Sequence, residues 1–333
     1  MSPAQSTIGV DFADAALEES VRAGLAAVEA ALHDAVRSDD EFIAEAARYL
    51  LDAGGKRFRP LMTVLAAHFG DPAAPEIVPA AAVVELTHLA TLYHDDVMDE
   101  ARVRRGEPSP NARWDNTIAI LTGDFLFARA SDILADLGPA AVRLQARTFE
   151  RLVSGQIRET VGPRAGDDPI EHYLSVLAEK TGSLIATAAE FGARFAGVDS
   201  ATVERLRRFG ERIGVAFQLS DDILDIASDS TESGKTPGTD LREGVATLPV
   251  LYALRSADSG SARLRSLVAH PLVDDAEHAE ALGLLRASPA LDEARGTVRE
   301  YADTARAMLA ELPDVAARAG FEALIDRVID RTG

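Results

Sequence analysis

Apolar residues recur at spacings of three and four along nearly the whole chain, and this periodicity restricts its fold more than any other feature. From Asp14 to Leu32, the residues Leu17, Val21, Leu25, Val28 and Leu32 fall on one face of a helix. The stretch from Val203 to Ile226 repeats the spacing with Leu206, Phe209, Ile213, Ala216, Phe217 and Ile223. Near the end, Leu324, Ile325 and Val328 do so again within Phe321 to Ile329. Ala, Leu, Glu and Arg dominate, all residues that lose little on entering a helix, and alternating β-branched runs are scarce. A chain of this kind buries its apolar stripes by packing helix on helix.

Turn-forming residues interrupt the helical runs at Gly54-Gly55, Asp71-Pro72, Gly106 to Pro110, Gly138-Pro139, Gly162 to Pro169, Ser228 to Gly244 and Ser256 to Ser261. None of these reads as an interdomain linker, and there is no internal repeat. The expectation is an all-α fold: one multi-helix domain over residues 15–333 after a loose segment over 1–14. With 54 acidic against 34 basic residues the net charge is −20, which argues against a nucleic-acid backbone as partner. The absence of cysteine excludes disulfides, thiolate metal sites and a cysteine nucleophile. No signal peptide is visible. The most apolar run, Ile77 to Tyr93, is broken by Pro79, Glu85 and His88, so no integral membrane segment is expected and the location reads as cytoplasmic.

Two short acidic segments stand out against this background. They are His94-Asp95-Asp96-Val97-Met98-Asp99 and Gln218-Leu219-Ser220-Asp221-Asp222-Ile223-Leu224-Asp225, each containing DDxxD at the end of an apolar helical run. On a helix the first and last carboxylates of DDxxD lie about 40° apart, so Asp95 and Asp99 share a face, as do Asp221 and Asp225. Like charges at this spacing destabilise a helix, and tolerating them twice points to compensation by cations. Carboxylates without nearby His or Cys select hard divalent ions, Mg2+ above all, which is usually shared with substrate phosphates. A phosphorylated substrate also needs donors. Gly54-Gly55-Lys56-Arg57-Phe58-Arg59-Pro60 supplies cations in a glycine-bounded turn, where backbone can approach a ligand closely, and Arg102-Val103-Arg104-Arg105-Gly106 supplies more just past the first acidic cluster. His88 lies about 20° around the helix from Asp95, two turns below it, and Gln218 shares a face with Asp221. Lys180, followed by Thr181, sits in an expected helix, where spacing alone does not separate ligand contact from a surface lysine.

These motifs together resemble those of the trans-prenyltransferases, the isoprenyl (polyprenyl) diphosphate synthases of long-chain type. The resemblance covers roughly residues 20 to 330 and rests on GGKRFRP at 54–60, HDDVMD with its following RRG at 94–106, GDFLFARA at 123–130, EKTGSL at 179–184, FQLSDDILD at 217–225 and GKTPGTDLREG at 234–244. It implies helices around a deep central cavity, a homodimer, and head-to-tail condensation of isopentenyl diphosphate onto an allylic diphosphate. It implies Asp95, Asp99 and Asp221 as the main ligands of three Mg2+ ions, for which Mn2+ would substitute, with Asp96, Asp222 and Asp225 in support. It places isopentenyl diphosphate on Lys56, Arg59, His88 and Arg105. It places the allylic diphosphate on Arg104, Lys180, Thr181 and Gln218, with Lys235 closing over it. Val245 stands where many relatives carry a second loop lysine.

In such enzymes the product grows along the first aspartate helix and bulky residues upstream of DDxxD stop it. The positions here are Ala90, Thr87 and Val84, roughly 7, 12 and 16 Å below the motif. None is aromatic, which predicts a long product, about C35 to C50, with Phe125, Phe127 and Phe149 as rival stoppers and a C15 to C20 product as the alternative. A class I terpene cyclase also uses DDxxD, but its second motif carries Ser where this chain has Asp225, and it binds no second diphosphate. The hydrophobic product implies transient membrane contact.

Overall fold

We describe residues 10, 12–227, 237–257 and 261–331 from a computed structural model. Helices follow one another in the order α1 (Ala15–Ala35), α2 (Glu41–Asp52), α3 (Phe58–Ala67), α4 (Ile77–Met98), α5 (Pro110–Arg113), α6 (Asn116–Leu137), α7 (Pro139–Val161) and α8 (Pro169–Leu177). A π turn (Ala178–Gly182) joins α8 to α9 (Ser183–Phe195), and α10 (Ser200–Ala227) carries the second aspartate motif. Then come α11 (Thr239–Glu243), α12 (Leu248–Arg255), α13 (Ala262–Leu267), α14 (Asp275–Arg286), α15 (Pro289–Ala310) and α16 (Ala316–Asp330). The one β pairing among the described residues is a hairpin of β1 (Val103–Arg104) with β2 (Glu107–Pro108), Arg104 opposite Glu107. The expected all-α fold is therefore present. Within the loop expected from Ser228 to Gly244, α11 forms. Of the segment expected to be loose, Asp14 is fixed as the N-cap of α1.

Part of the acidic excess goes into starting helices. The carboxylates of Asp14, Asp40, Asp115, Asp168 and Asp274 accept backbone N–H groups in the first turns of α1, α2, α6, α8 and α14. Asp199 does the same for α10 through Ala201 and Thr202. Each cap satisfies donors that have no partner within the helix and contributes about 1 kcal/mol.

The chain divides into two compact units. The first comprises Met1–Phe149, Leu184–Gly210 and Glu311–Ala323. Its centre is α4, buried on nearly every side against α1, α3 and α6. Glycines permit the closest approaches. A Cβ on Gly123 of α6 would stand 2.3 Å from the His94 ring of α4, and one on Gly192 of α9 would stand 2.1 Å from the Thr63 carbonyl of α3. Phe321 closes this core, with ring centroids 4.8 Å from Phe209 and 6.1 Å from Phe69.

The second unit comprises Glu150–Ser183, Glu211–Ala310 and Leu324–Gly333. Here α12 packs on α15, where the Tyr252 and Thr297 hydroxyls meet at 2.8 Å. Arg286 of α14 donates to the Ile226 carbonyl at the end of α10, 2.7 Å away. No helix among the described residues is long and apolar enough to cross a membrane.

The clash at Gly192 is with backbone, so it cannot be relieved by a rotamer change. Gly192→Ala should lower stability by about 3 kcal/mol, seen as a lower urea midpoint with unchanged slope. An unchanged midpoint would contradict the tight α3–α9 contact.

Candidate active site

The turn before α3 folds through Gly54 (φ +89°), Gly55 (φ +150°) and Arg57 (φ +47°), left-handed conformations that cost little for glycine. Arg57 is almost fully buried. Its guanidinium donates to Glu29 at 2.8 and 2.9 Å, to Glu85 at 3.2 Å and to the Leu51 carbonyl at 3.1 Å. Glu85, which interrupts the apolar run of α4, thus finds its counter-ion in the glycine turn. A Cβ on Gly55 would lie 2.9 Å from guanidinium nitrogens of both Arg57 and Arg105. The glycine there makes room for two arginine side chains.

Arg105 donates to the carbonyls of Leu50 and Gly54. Burial pulls its pKa down to about 10, helped by the charges of Arg57, Arg104 and Arg59 and opposed by Glu85. The same cations surround His88. Burial first, then Arg59, Arg105, Arg104 and Arg57, hold its pKa well below 6.5, so the ring is neutral at pH 7. Three of the four residues expected to bind isopentenyl diphosphate, Arg59, His88 and Arg105, therefore share one electropositive environment. Lys56 is exposed in the adjoining turn.

At the end of α4 the three carboxylates of the first motif have different surroundings. Asp96 is buried and accepts from Arg104 Nε at 2.6 Å, while its Oδ2 has no hydrogen-bond partner. Burial raises its pKa against the pull of Arg104. Asp95 is half-buried and Asp99, just past the helix end, is exposed.

The second motif, in the other unit, shows the same division. Asp222 is buried, with Oδ1 accepting from Gln218 Nε2 at 2.9 Å and Oδ2 from the Tyr173 hydroxyl. Burial raises its pKa to about 6 despite these bonds, and Asp221 and Asp225 push the same way. Asp225 accepts the backbone N–H groups of Thr239 (3.3 Å) and Asp240 (3.2 Å) at the start of α11. Asp221 pairs with Arg331, whose guanidinium also lies 5.2 Å from the Phe217 ring centroid. Thr181 donates to Gln218 Oε1 at 3.3 Å, and Lys180 pairs with Glu159 at 2.6 Å. The helix expected at Lys180 is present, wound as a π turn over Ala178–Gly182 between α8 and α9, and α7 lies so close that a Cβ on Gly155 would be 2.8 Å from the Lys180 nitrogen. Lys235 lies outside the described residues.

Ala90, Thr87 and Val84, the positions expected to govern chain length, are all buried within α4. Thr87 donates to the Val83 carbonyl and accepts from Gln145 Nε2 at 2.8 Å. Phe127 lies 4.6 Å from Phe149 and 5.8 Å from the His94 ring, centroid to centroid.

No cluster of three or more His, Cys, Asp or Glu side chains forms a ready-made metal cage among the described residues. Mg2+ commonly takes one or two carboxylates and fills its shell with water and substrate phosphate. The donor chemistry is all carboxylate, and the unpartnered Asp96 Oδ2 adds a buried acceptor beside the first pair. Sequence reasoning counted Arg57 among the donor cations of its turn, whereas the structure pairs it with Glu29 and Glu85, and it missed Tyr173 and Arg331. The pairing of Arg57 left a trace, because a glutamate inside an apolar helix needs a cation. Tyr173 and Arg331 lie 49 and 110 residues from their aspartates, beyond any local pattern.

Comparison with known proteins gives this arrangement a family. Residues 40–285 match the polyprenyl synthetase family. The chain is 54% identical over 333 residues to the nonaprenyl diphosphate synthase of Mycobacterium tuberculosis, covering 100% of this chain and 99% of that one. It is 44% identical over 321 residues to the dimethylallyltranstransferase of the same organism, covering 96% and 98%. Among solved structures, the geranylgeranyl pyrophosphate synthase of Corynebacterium glutamicum, complexed with calcium and isoprenyl diphosphate, superimposes with a TM-score of 0.86 at 46% identity, covering 97% of this chain and all (100%) of that one. This chain belongs to the polyprenyl synthetase family.

Proposed function

We propose that the chain is a polyprenyl diphosphate synthase that adds isopentenyl diphosphate head-to-tail to an allylic diphosphate and releases an all-trans product of about C35 to C50. The observation that carries this reading is the cluster of Arg59 and Arg105 around a neutral His88, in the same unit as the first DDxxD. A cyclase has no use for a second diphosphate site, whereas a condensing enzyme requires one.

Asp95, Asp99 and Asp221 are the carboxylates we assign to Mg2+, in a three-ion set that Mn2+ would also satisfy. Asp96 and Asp222, the buried carboxylates of the two motifs, and Asp225, which holds the start of α11, act in support. Bound Mg2+ supplies Lewis-acid neutralisation of the leaving diphosphate. Lys56, Arg59, Arg105 and the neutral His88 orient isopentenyl diphosphate. Arg104, Lys180, Thr181 and Gln218 receive the allylic diphosphate, with Lys235 as the loop cation. The allylic C–O bond breaks and its electron pair leaves with pyrophosphate. The alkene of isopentenyl diphosphate attacks the allylic C1, forming the new C–C bond, and the proton lost from C2 goes to pyrophosphate. Fixed guanidinium groups stabilise the charge as it develops on the leaving group.

The small side chains of Ala90, Thr87 and Val84, together with the 54% identity to a nonaprenyl synthase, support the long product. Likeness to a geranylgeranyl synthase supports a C20 product as the second reading. On α7, Val153, Ile157 and Val161 recur every fourth residue and are 37%, 58% and 75% exposed, an apolar stripe that suits a homodimer contact. We take residues 15–333 as one catalytic domain, located in the cytoplasm and touching membranes only to deliver product.

The decisive assay combines pure protein, Mg2+, farnesyl diphosphate and isopentenyl diphosphate. Pyrophosphate release that requires isopentenyl diphosphate is expected, and release without it would favour a cyclase. In the product chromatogram Ala90→Phe should shorten the chain, whereas an unchanged length would remove α4 from chain-length control. His88 gives a pH test. A bound diphosphate offsets the arginine repulsion, so the ring pKa should rise on binding isopentenyl diphosphate, as read by NMR. A pKa raised by binding means a proton is taken up, so affinity should increase as pH falls from the bound value toward the free one. His88→Gln should remove that part of the pH dependence, and an identical profile in both proteins would refute it.

A further inference from the structure

Tyr173 belongs to none of the motifs read from the sequence, yet its hydroxyl ends on Asp222. From Asp222 the connection continues through Gln218 to Thr181. Every direction in this chain is fixed by chemistry. An ionised carboxylate only accepts, so Gln218 must turn its NH2 toward Asp222 and its carbonyl toward Thr181. Thr181 sits in the π turn, which α7 holds in place at Gly155.

We propose that Tyr173 is a positioning residue for the allylic diphosphate: by holding the Asp222 carboxylate, it fixes the orientation of Gln218 and, through it, of Thr181. This deepens the synthase reading above and rests on it. Removing the hydroxyl leaves Asp222 Oδ2 without its donor in a buried place, and the carboxylate turns to find another. The Gln218 amide then loses the partner that defines which end faces Thr181. The phenyl ring would fill the same space without the hydroxyl, so packing alone does not account for a tyrosine.

Tyr173→Phe removes one oxygen and keeps the ring, and Thr181→Val removes the far end of the chain with its shape preserved. Binding of farnesyl diphosphate with Mg2+, without isopentenyl diphosphate, is measured by calorimetry on the full-length protein and both variants, and steady-state kinetics are run alongside. Tyr173→Phe should weaken farnesyl diphosphate binding about tenfold and raise its KM, with the KM for isopentenyl diphosphate within about twofold of wild type. The double variant should lose less than the product of the two single losses, because both act through one connection. Unchanged binding, equal shifts in both KM values, or fully multiplicative losses would each overturn the proposal. A Tyr173→Phe protein that melts early is bypassed by comparing Thr181→Val in wild type and in Tyr173→Trp for the same non-additivity. Failure of the synthase reading looks different: wild type would bind farnesyl diphosphate yet release no pyrophosphate when isopentenyl diphosphate is added.

Discussion

The buried guanidinium of Arg57 is the interaction on which the first unit depends. It joins Glu29 of α1, Glu85 of α4 and the carbonyl end of α2 at one point. Leaving a buried charge without its partner costs roughly 3–5 kcal/mol, comparable to the whole stability margin of many domains. Two glutamates answer Arg57, whereas Arg59, Arg104 and Arg105 contribute the repulsion felt at His88. Within one seven-residue motif, Arg57 thus ties three helices together while Arg59, two residues on, belongs to the positive surroundings of His88.

The helical architecture was legible because period 3.6 is a local property, and so was the face shared by the outer carboxylates of each DDxxD. The ranking within each motif came with the family resemblance, but the surroundings of the carboxylates were not legible. Arg104, Tyr173, Arg331 and the N-terminus of α11 are brought to Asp96, Asp222, Asp221 and Asp225 by tertiary packing. The π turn at Lys180 was invisible for a related reason. One extra residue in a turn leaves the apolar periodicity on either side readable as ordinary helix, and the close approach of α7 at Gly155 is a tertiary contact. Of the two glycines in the turn, Gly55 has a use that only the fold reveals, since a Cβ there would meet the guanidinium groups of Arg57 and Arg105, whereas a Cβ on Gly54 would meet nothing within 4 Å.

The acidity of the chain also takes on a structural meaning. Aspartates at the starts of α1, α2, α6, α8, α10 and α14 serve as acceptors for backbone donors. A negative charge at a helix N-terminus is favoured by the dipole as well as by the hydrogen bond. These charges therefore stabilise the local fold without forming any pocket, and a net −20 is compatible with a basic cluster around His88.

Asp225 does more than end the second motif. Its carbonyl accepts the Gly238 N–H at 2.7 Å and its carboxylate holds Thr239 and Asp240. One residue therefore ties the end of α10 to Gly238, Thr239 and Asp240 through both its backbone and its side chain. A substitution at Asp225 would act twice, on the charge of the acidic motif and on the backbone donors that begin α11, so the electrostatics of the motif and the placement of α11 are inherited together.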